Sequence, residues 1–387
     1  MMIKPALFVE ALAETGVNFI AGVPDSLLKD LCAKLTVELP AKNHIIAANE
    51  GSAIGLAIGH YLATSNPAMV YMQNSGLGNA VNPLTSLADP KVYSIPMLLV
   101  IGWRGEILET GTQLPDEPQH KKQGEITLDQ LNILDIPYKV IDKGTTNLNE
   151  VLLELISLAI TRSGPVAIIV RKGTFSPFKY ESEKVQKYPL LREEAIEIIV
   201  DNIDKGTPIV STTGVASREL FEIRKRKGQG HSRDFLTVGG MGYASSIAAG
   251  IANALPDKKI VCIDGDAAAL MHLGALAITA DCSNLIHFLI NNEAHDSVGG
   301  QPTKGAGINF SSVGKDLGYS HTFEVESKED LKALCLAMKG NEGNEGSVLI
   351  TVKTRAGFRS DLGRPDRSPI ENKKDFMGLL RDVDYAD

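Results

Sequence analysis

Cysteine and tryptophan are scarce in this chain of 387 residues, which has four cysteines and one tryptophan. No two cysteines form a CxxC pair, so neither a disulfide framework nor a cysteine-bound metal is expected. No apolar run reaches the roughly 20 residues that a membrane-spanning helix needs. The opening stretch MMIKPALFVEALAETG has acidic residues at helical spacing, which is typical of an amphipathic helix and not of a signal peptide. We therefore expect a cytoplasmic protein without a membrane partner.

Positive charge is also in deficit, because 39 lysines and arginines stand against 47 acidic residues. The formal net charge of -8 disfavours a nucleic-acid partner, although local arginines can still bind a small anion. The chain is 43% hydrophobic and 22% charged, which is ordinary for a globular protein. At about 150 residues per domain, the length suggests two domains.

Short apolar segments alternate with helical patterns along the whole sequence. They are FIAGVP, HIIAANE, AMVYMQ, PMLLVIG, YKVI and PVAIIV, then PIVSTTG, DFLTVGG, KIVCIDGD, LIHFLINN, HTFEVE and SVLITVKT. Nearly continuous apolar strands separated by helices indicate parallel sheets covered on both faces. The sequence therefore predicts an α/β protein with two doubly wound domains, each with a six-stranded, mostly parallel sheet. We place the domains at 1–175 and 191–387, with a polar, proline-containing linker at 176–190.

Two of these segments in the second half end on polar residues. KIVCIDGD ends with Gly265 and Asp266, and LIHFLINN ends with Asn291 and Asn292. Doubly wound sheets bind ligands beyond the carboxyl ends of their strands. If the strands are neighbours, the carboxylate and amide oxygens share one crevice and suit Mg²⁺, which usually completes its shell with phosphate oxygens. A helix that begins after Asp266 would offer N–H groups to those phosphates. The alternative is an ordinary aspartate cap and an Asn-Asn turn.

This Gly-Asp-x … Asn-Asn pattern resembles the signature of thiamine diphosphate enzymes, which anchor the diphosphate through Mg²⁺. The resemblance implies three Mg²⁺ ligands, namely the side chains of Asp266 and Asn292 and the carbonyl of Ala294. It further implies cofactor contacts along strand ends and the turns after them: Thr213, Gly214, Gly240, Met241, Gly265, Asp266, Ala267, Ala268 and Asn292. Ala267 stands where the family pattern has glycine, and alanine fits there if the backbone does not need a positive φ.

Glu50 follows the apolar segment HIIAAN and opens an apolar helical pattern. Its simplest role is an acid in the first turn of a helix, favoured by the dipole. The resemblance implies instead that Glu50 is the glutamate that hydrogen-bonds the aminopyrimidine ring of the cofactor. It also implies at least a homodimer, because in this family the active sites lie at the subunit interface.

The length of the chain resembles the two-domain branch of the family, the phosphonopyruvate and sulfopyruvate decarboxylases. Further matches include NSGLGNAVNPLTSL, DEPQHKKQG, NNEAHDSVGGQPT and DLGRPDRSPIENK. The resemblance implies a carbon-carbon lyase that converts a small anionic 2-keto acid, 3-phosphonopyruvate, into phosphonoacetaldehyde and CO₂ in phosphonate biosynthesis. Sulfopyruvate decarboxylation, carboligation to an aldehyde and a non-catalytic subunit remain as alternatives. Tyr243 departs from the branch, where histidine is expected.

Ionisable residues in predicted loops at strand ends are candidates for proton transfer. They are Asp25 in GVPDS, His120 in DEPQH and His295 beside the expected metal loop. Arginines suit a phosphonate, and the candidates are Arg104, Arg359 and Arg364, each with surface ion pairing as its alternative. The glycine-rich segment from Val298 to Gly314 is too polar for a core, so we expect it to cover the site as a mobile loop.

Overall fold

The computed structural model describes residues 2–180, 187–339 and 346–381. The chain divides into two compact units, residues 1–183 and 184–387. This division falls inside the range predicted as the linker, of which residues 181–186 lie outside the described residues. Within the described part of the chain, every helix is too short or too polar to cross a bilayer.

The first unit is built on one sheet. Its strands are β1 (Ile20–Gly22), β2 (His44–Ile46), β3 (Ala68–Gln73), β4 (Met97–Gly102), β5 (Tyr138–Ile141) and β6 (Pro165–Val170). Their order across the sheet is β2-β1-β3-β4-β6-β5. The helices are α1 (Pro5–Glu14), α2 (Lys29–Glu38), α3 (Glu50–Thr64), α4 (Leu77–Pro83), α5 (Pro118–Ile133) and α6 (Leu148–Arg162).

The second unit is built on a separate sheet. Its strands are β7 (Ile209–Ser211), β8 (Asp234–Leu236), β9 (Ile260–Gly265), β10 (Leu285–Asn291), β11 (His321–Val325) and β12 (Val348–Lys353). Their order is β11-β12-β10-β9-β7-β8. The helices are α7 (Arg192–Asn202), α8 (Val215–Arg226), α9 (Ala244–Ala254), α10 (Asp266–Met271), α11 (Ala275–Ala280), α12 (Phe310–Asp316), α13 (Lys328–Met338) and α14 (Pro369–Leu380).

Both sheets have the same winding. If the strands of each unit are counted from its own first strand, both orders read 2-1-3-4-6-5. Each of the twelve predicted segments contains a strand, and every strand pairing of the two sheets is parallel. The predicted fold class is therefore confirmed, with sheets that are wholly parallel.

The apolar composition of the strands follows from burial on both faces. All six residues of β4 are buried. Leu98 and Val100 pack with residues of α1, α2 and α6, whereas Leu99 and Ile101 pack with residues of α3 and α5. Alternate residues of a strand point to opposite faces, so both faces of β4 need apolar side chains.

Each sheet reverses its winding direction between two neighbouring strands, β1 and β3 in the first unit and β7 and β9 in the second. Ligand crevices of doubly wound sheets open at such reversals, beyond the carboxyl ends of the strands. The residues that follow these strands and their neighbours are therefore the candidates to contact a ligand.

The glycine-rich segment from Val298 to Gly314 differs from its prediction. It is folded into a 3-10 turn at Lys304–Gly307 and the start of α12, and Gln301 and Phe310 are fully buried. The expectation that it is too polar for a core holds only in part, because Gln301, Thr303 and Phe310 are buried whereas Pro302, Lys304 and Asn309 are exposed. The Thr303 hydroxyl is bonded to Asp266, whereas the side-chain amide of Gln301 has no hydrogen-bond partner among the described residues. The role of this segment as a mobile cover stays a prediction.

Candidate active site

Glu50 is the first residue of α3 and lies just beyond β2. The helix is capped by Asn49, whose side-chain oxygen accepts from the backbone N–H of Ser52 at 2.8 Å. The Glu50 side chain is only 5% exposed, and its Oε2 accepts from Asn79 Nδ2 at 2.7 Å. Gly76 lies directly against this side chain, because a Cβ there would stand 2.5 Å from Glu50 Cγ. The carboxyl group is therefore held from two sides.

Asp25 follows β1 and is completely buried. Its Oδ2 accepts from the backbone N–H of Leu28 at 3.2 Å, whereas its Oδ1 has no hydrogen-bond partner among the described residues. Burial raises the pKa of this carboxyl to about 6, against backbone hydrogen bonds and the charge of Arg104, which lower it. Any side chain at Gly102 would overlap Asp25 Oδ2. A buried carboxyl that titrates so close to neutrality is suited to proton exchange.

Arg104, predicted as a phosphonate ligand, lies beyond β4 in an ion pair. Its Nε donates to Asp116 Oδ2 at 2.8 Å, Nη2 donates to the other oxygen of Asp116, and Nη1 donates to Ser26 Oγ at 2.7 Å. Asp116 is also bonded to the Gly105 N–H at 2.9 Å. The guanidinium is thus fixed in place, with its charge already compensated by one carboxylate.

His120 lies on the first turn of α5 and is buried. Burial lowers its pKa to about 4, and the charge of Arg104 adds to this effect while Asp116 opposes it. Its Nδ1 has no partner in the part of the chain that the structure describes. At neutral pH the ring is neutral, so it can donate or accept a hydrogen bond but does not carry a second proton.

Asp266 lies at the carboxyl end of β9, where it is the first residue of α10. Its side chain is 2% exposed and accepts from the Thr303 hydroxyl. Burial raises the pKa of the carboxyl to about 6, opposed by the Thr303 bond and by backbone N–H groups. No lysine or arginine pairs with Asp266 among the described residues. A buried acid without a cationic side-chain partner can be stabilised by a metal ion.

Asn292 follows β10, which pairs directly with β9 in parallel register. Its Nδ2 donates to Asp296 Oδ2 at 2.6 Å, and its Oδ1 accepts from the backbone N–H of Ala294 at 3.3 Å. The chain then turns back at Ala294, which forms an antiparallel bridge with Pro302. The predicted condition is therefore met, since the two strands that precede Asp266 and Asn292 are neighbours.

Asn291 belongs to the same cluster, although the sequence interpretation gave it no role. Its Nδ2 donates to the carbonyl of Gly305 at 3.0 Å, and its Oδ1 accepts from the Glu293 N–H at 3.2 Å. A Cβ at Gly305 would stand 2.9 Å from Asn291 Oδ1 and would overlap Asp266 Oδ2. Oxygens from the ends of both strands therefore meet beside Gly305.

The remaining cofactor candidates lie on the loops around this point. Gly214 precedes α8 with a φ of +91°, and a Cβ there would stand 3.6 Å from Ser297 Oγ of the loop after β10. Gly240 also has a positive φ, +68°, and Thr213 and Met241 are half-buried beside these two glycines. A Cβ at Gly242 would stand 3.0 Å from the Ala268 carbonyl, so the loop after β8 lies against α10.

Ala267 and Ala268 lie within α10, after Gly265, and neither has a positive φ. Alanine at position 267 therefore costs no backbone strain, and the departure from the family pattern is structurally tolerated. Tyr243 is 46% exposed and its ring lies 4.6 Å from that of His272.

His295, Arg359 and Arg364 have different surroundings. Burial lowers the pKa of His295 to about 4, which Asp296 opposes. Arg359 forms ion pairs with Glu193, Glu222 and Asp361, which favours a structural role for its charge. Arg364 is exposed. Nothing in these contacts brings Arg359 to the oxygens of Asp266 and Asn292, so its substrate role stays a prediction, as does that of Arg364.

A second group of possible metal ligands lies deeper in the sheet. Cys262, Asp264 and His287 are fully buried, with ligand atoms within 4.8 Å of one another. The ring of His287 is bonded through Nδ1 to the Tyr319 hydroxyl at 2.9 Å. These side chains come from within β9 and β10 and not from the loops beyond them, so a diphosphate does not reach them. Mg²⁺ also prefers oxygen to thiol ligands.

Comparison with known proteins agrees with this geometry. The N-terminal TPP-binding domain of thiamine pyrophosphate enzymes matches residues 5–133, and the C-terminal TPP-binding domain matches residues 212–355. The phosphonopyruvate decarboxylase of Streptomyces viridochromogenes is 32% identical over 98% of this chain and 95% of its own length. That of Streptomyces hygroscopicus is 31% identical over 97% and 93%. The sulfopyruvate decarboxylase of Methanosarcina acetivorans is 28% identical over 83% and 84%. This chain therefore belongs to the thiamine diphosphate-dependent decarboxylases.

Proposed function

We propose that this protein is a phosphonopyruvate decarboxylase, which converts 3-phosphonopyruvate into phosphonoacetaldehyde and CO₂ with thiamine diphosphate and Mg²⁺. One observation carries the proposal. A buried aspartate, which no lysine or arginine among the described residues pairs with, and an amide oxygen follow two neighbouring strands. The chain that holds them matches both cofactor-binding domains. The near full-length similarity to two phosphonopyruvate decarboxylases supports the choice of substrate.

The donor set at the ends of β9 and β10 fits the metal. Asp266 and Asn292 would bind Mg²⁺ through side-chain oxygens and Ala294 through its carbonyl, which are ligands of the type that Mg²⁺ prefers. Gly265, Ala267 and Ala268 have little or no side chain, so a diphosphate can come close to the backbone. The loops after β7 and β8 would lie beside the diphosphate, and they contain Thr213, Gly214, Gly240 and Met241. When bound, the cofactor supplies the sink for the electrons released as CO₂ leaves.

Glu50 would hydrogen-bond the aminopyrimidine of the cofactor. Its carboxyl is buried and bonded to Asn79, and it lies directly against Gly76, where a Cβ would collide with it. A fixed carboxyl loses little freedom when it accepts or donates a proton, which is what a general acid-base group needs.

Asp25, His120 and His295 would handle the protons of the substrate carbon and of the product. Asp25 has a pKa of about 6 and one free oxygen, so it can take and return a proton near neutral pH. His120 and His295 are neutral at that pH and would act as hydrogen-bond donors or acceptors. Arg104, held by Asp116, would face the substrate anion with its remaining N–H groups.

The active form would be a homodimer or a higher homo-oligomer, with sites shared between chains. Glu50 and Asp266 belong to different units of one chain. The family resemblance supports a site to which two chains contribute, one with the Glu50 half and the other with the Asp266 half.

Sulfopyruvate is the second candidate substrate, because a sulfopyruvate decarboxylase aligns with most of the chain. A CO₂-release assay with each keto acid, with and without Mg²⁺ and cofactor, tests the proposal. Faster release from phosphonopyruvate, dependent on both additions, is expected. Preference for sulfopyruvate would reassign the substrate, and a new carbon-carbon bond in the presence of an aldehyde would reveal carboligation. Cofactor binding without turnover of either acid would favour a non-catalytic subunit.

A further inference from the structure

We propose that Asp296 is a positioning residue that fixes which end of the Asn292 amide faces the metal. The inference rests on the proposed function, because it requires Asn292 to be a Mg²⁺ ligand. Asp296 itself lies four residues beyond Asn292 and is bonded to Arg192 and to the backbone N–H of Gly357.

The argument begins with the two ends of an amide. Only the oxygen of Asn292 can bind a cation, whereas a rotation of the terminal amide by half a turn would present its N–H groups instead. Asp296 Oδ2 accepts from Asn292 Nδ2 at 2.6 Å. An ionised carboxylate can only accept hydrogen bonds, so this contact is lost if the amide turns over. Together with the Ala294 N–H, which donates to Oδ1 at 3.3 Å, the contact therefore favours the orientation that leaves the oxygen for the metal.

Asp296 can do this because it is itself fixed from two further sides. Arg192 Nη1 donates to its Oδ2 at 2.9 Å, and the backbone N–H of Gly357 lies 2.9 Å from both of its oxygens. Arg192 is in turn held by Glu219 through two hydrogen bonds, at 2.8 Å and 3.2 Å. These side chains are almost completely buried, with exposures of 7% for Arg192, 5% for Asp296 and 2% for Glu219. A buried, multiply bonded carboxylate offers a rigid acceptor.

The formal charges of this group also favour a divalent cation. Asp266, Asp296 and Glu219 contribute three negative charges, and Arg192 contributes one positive charge. The sum of these formal charges is -2, and no charge within this group of four side chains compensates it. A bound Mg²⁺ would neutralise them, which makes metal binding favourable in a poorly solvated site.

Asp296 thus has two effects on the metal, one through its charge and one through the orientation of Asn292. The chain offers a control that separates them. Glu219→Gln and Asp296→Ala each remove one negative charge from the same buried group, but only the second removes the partner of the amide. The difference between the two variants, together with an exchanged variant that keeps the net charge, reports the orientation effect.

The experiment measures the unfolding temperature at saturating thiamine diphosphate as Mg²⁺ is titrated, together with the unfolding temperature without ligand. Asp296→Ala is expected to raise the Mg²⁺ midpoint at least about tenfold beyond Glu219→Gln, in line with other groups that orient metal ligands. Arg192 keeps Glu219 as a partner in Asp296→Ala, so this variant should still fold.

An exchanged double variant, Asn292→Asp with Asp296→Asn, restores the contact in reverse. The new amide at position 296 donates to the new carboxylate at position 292, and the net charge is unchanged. Its midpoint should return to within a few-fold of wild type.

Equal midpoints in Asp296→Ala and Glu219→Gln would overturn the positioning role, since charge alone would then explain both. An exchanged variant as weak as Asp296→Ala would overturn it as well. If the wild-type protein shows no Mg²⁺-dependent stabilisation at all, the proposed metal site fails, and the role of Asp296 with it.

Discussion

Gly76 and Glu50 are in direct contact, and the contact leaves no space for a larger residue at position 76. A Cβ at Gly76 would stand 2.5 Å from Glu50 Cγ and 2.6 Å from its Oε1. The proposed acid-base carboxyl can take this position only because residue 76 has no side chain.

Gly76→Ala should therefore reproduce much of the defect of Glu50→Gln. Glu50→Gln is expected to keep Mg²⁺-dependent stabilisation by the cofactor while kcat falls about 100-fold or more, since general acid-base groups contribute on that scale. Gly76→Ala moves the carboxyl and should lower kcat at least about tenfold. Gly78→Ala is the matched control, because a Cβ there meets nothing within 4 Å. Wild-type kcat in Glu50→Gln would refute the role of Glu50.

Asp25→Asn should stabilise the protein while it removes activity. A carboxyl whose pKa rises from 3.8 to about 6 on folding binds its proton more tightly in the folded state. Wild type therefore loses stability as the pH rises from about 4 to about 6, by at most about 3 kcal/mol. Asparagine cannot ionise and escapes this loss. Urea unfolding of both proteins should give similar stabilities near pH 4 and a gain for the variant at pH 7; equal stabilities at pH 7 would contradict the burial argument.

Gly305→Ala should weaken metal binding without a change in any proposed ligand. The added Cβ would overlap Asp266 Oδ2 and crowd Asn291 Oδ1, so the carboxylate must move. Glycine 307 provides the control, since a Cβ there meets nothing within 4 Å. A thermal-shift titration with Mg²⁺ and cofactor should give a midpoint raised about tenfold or more in Gly305→Ala and close to wild type in Gly307→Ala. Identical midpoints in the two variants would show that Asp266 can relocate without consequence.

A mixture of two inactive variants tests the shared site. Glu50→Gln and Asp266→Ala would each be inactive alone. If one chain supplies Glu50 and its partner supplies Asp266, a mixed dimer regains one intact site, and random reassembly restores about a quarter of wild-type activity. Joint unfolding and refolding of the two proteins, followed by a CO₂-release assay, measures this. Activity that stays at the level of the separate variants would indicate that each site is built from a single chain.

The fold could be predicted because its signals are local. Most strands are apolar runs, and central ones such as β4 are buried on both faces, whereas the edge strands β5 and β11 are partly exposed. Asp266 and Asn292 directly follow two of the buried runs, so their place at the ends of neighbouring strands could be read from the sequence. Their roles, and that of Glu50, rest on the family resemblance and stay predictions.

The supporting contacts could not be predicted because they join residues that are distant in sequence. Arg192 meets Asp296 across 104 positions, and Arg104 meets Ser26 across 78. The partial burial of the segment after Val298 could not be predicted for the same reason. Its composition is polar, but Thr303 is buried because its hydroxyl bonds to Asp266, 37 positions earlier. Hydrogen bonds between polar side chains that are distant in sequence produce no periodic pattern of residue types.

The repeated winding of the two units has a consequence for how the proposed roles are distributed. The first unit carries Asp25, Glu50 and His120, and the second carries the oxygens of Asp266 and Asn292. In the proposed function, one copy of the architecture serves proton exchange and the other anchors a cofactor. Substitutions that retune acidity in the first copy need not disturb affinity in the second, so such a scaffold can change its substrate while its cofactor stays the same.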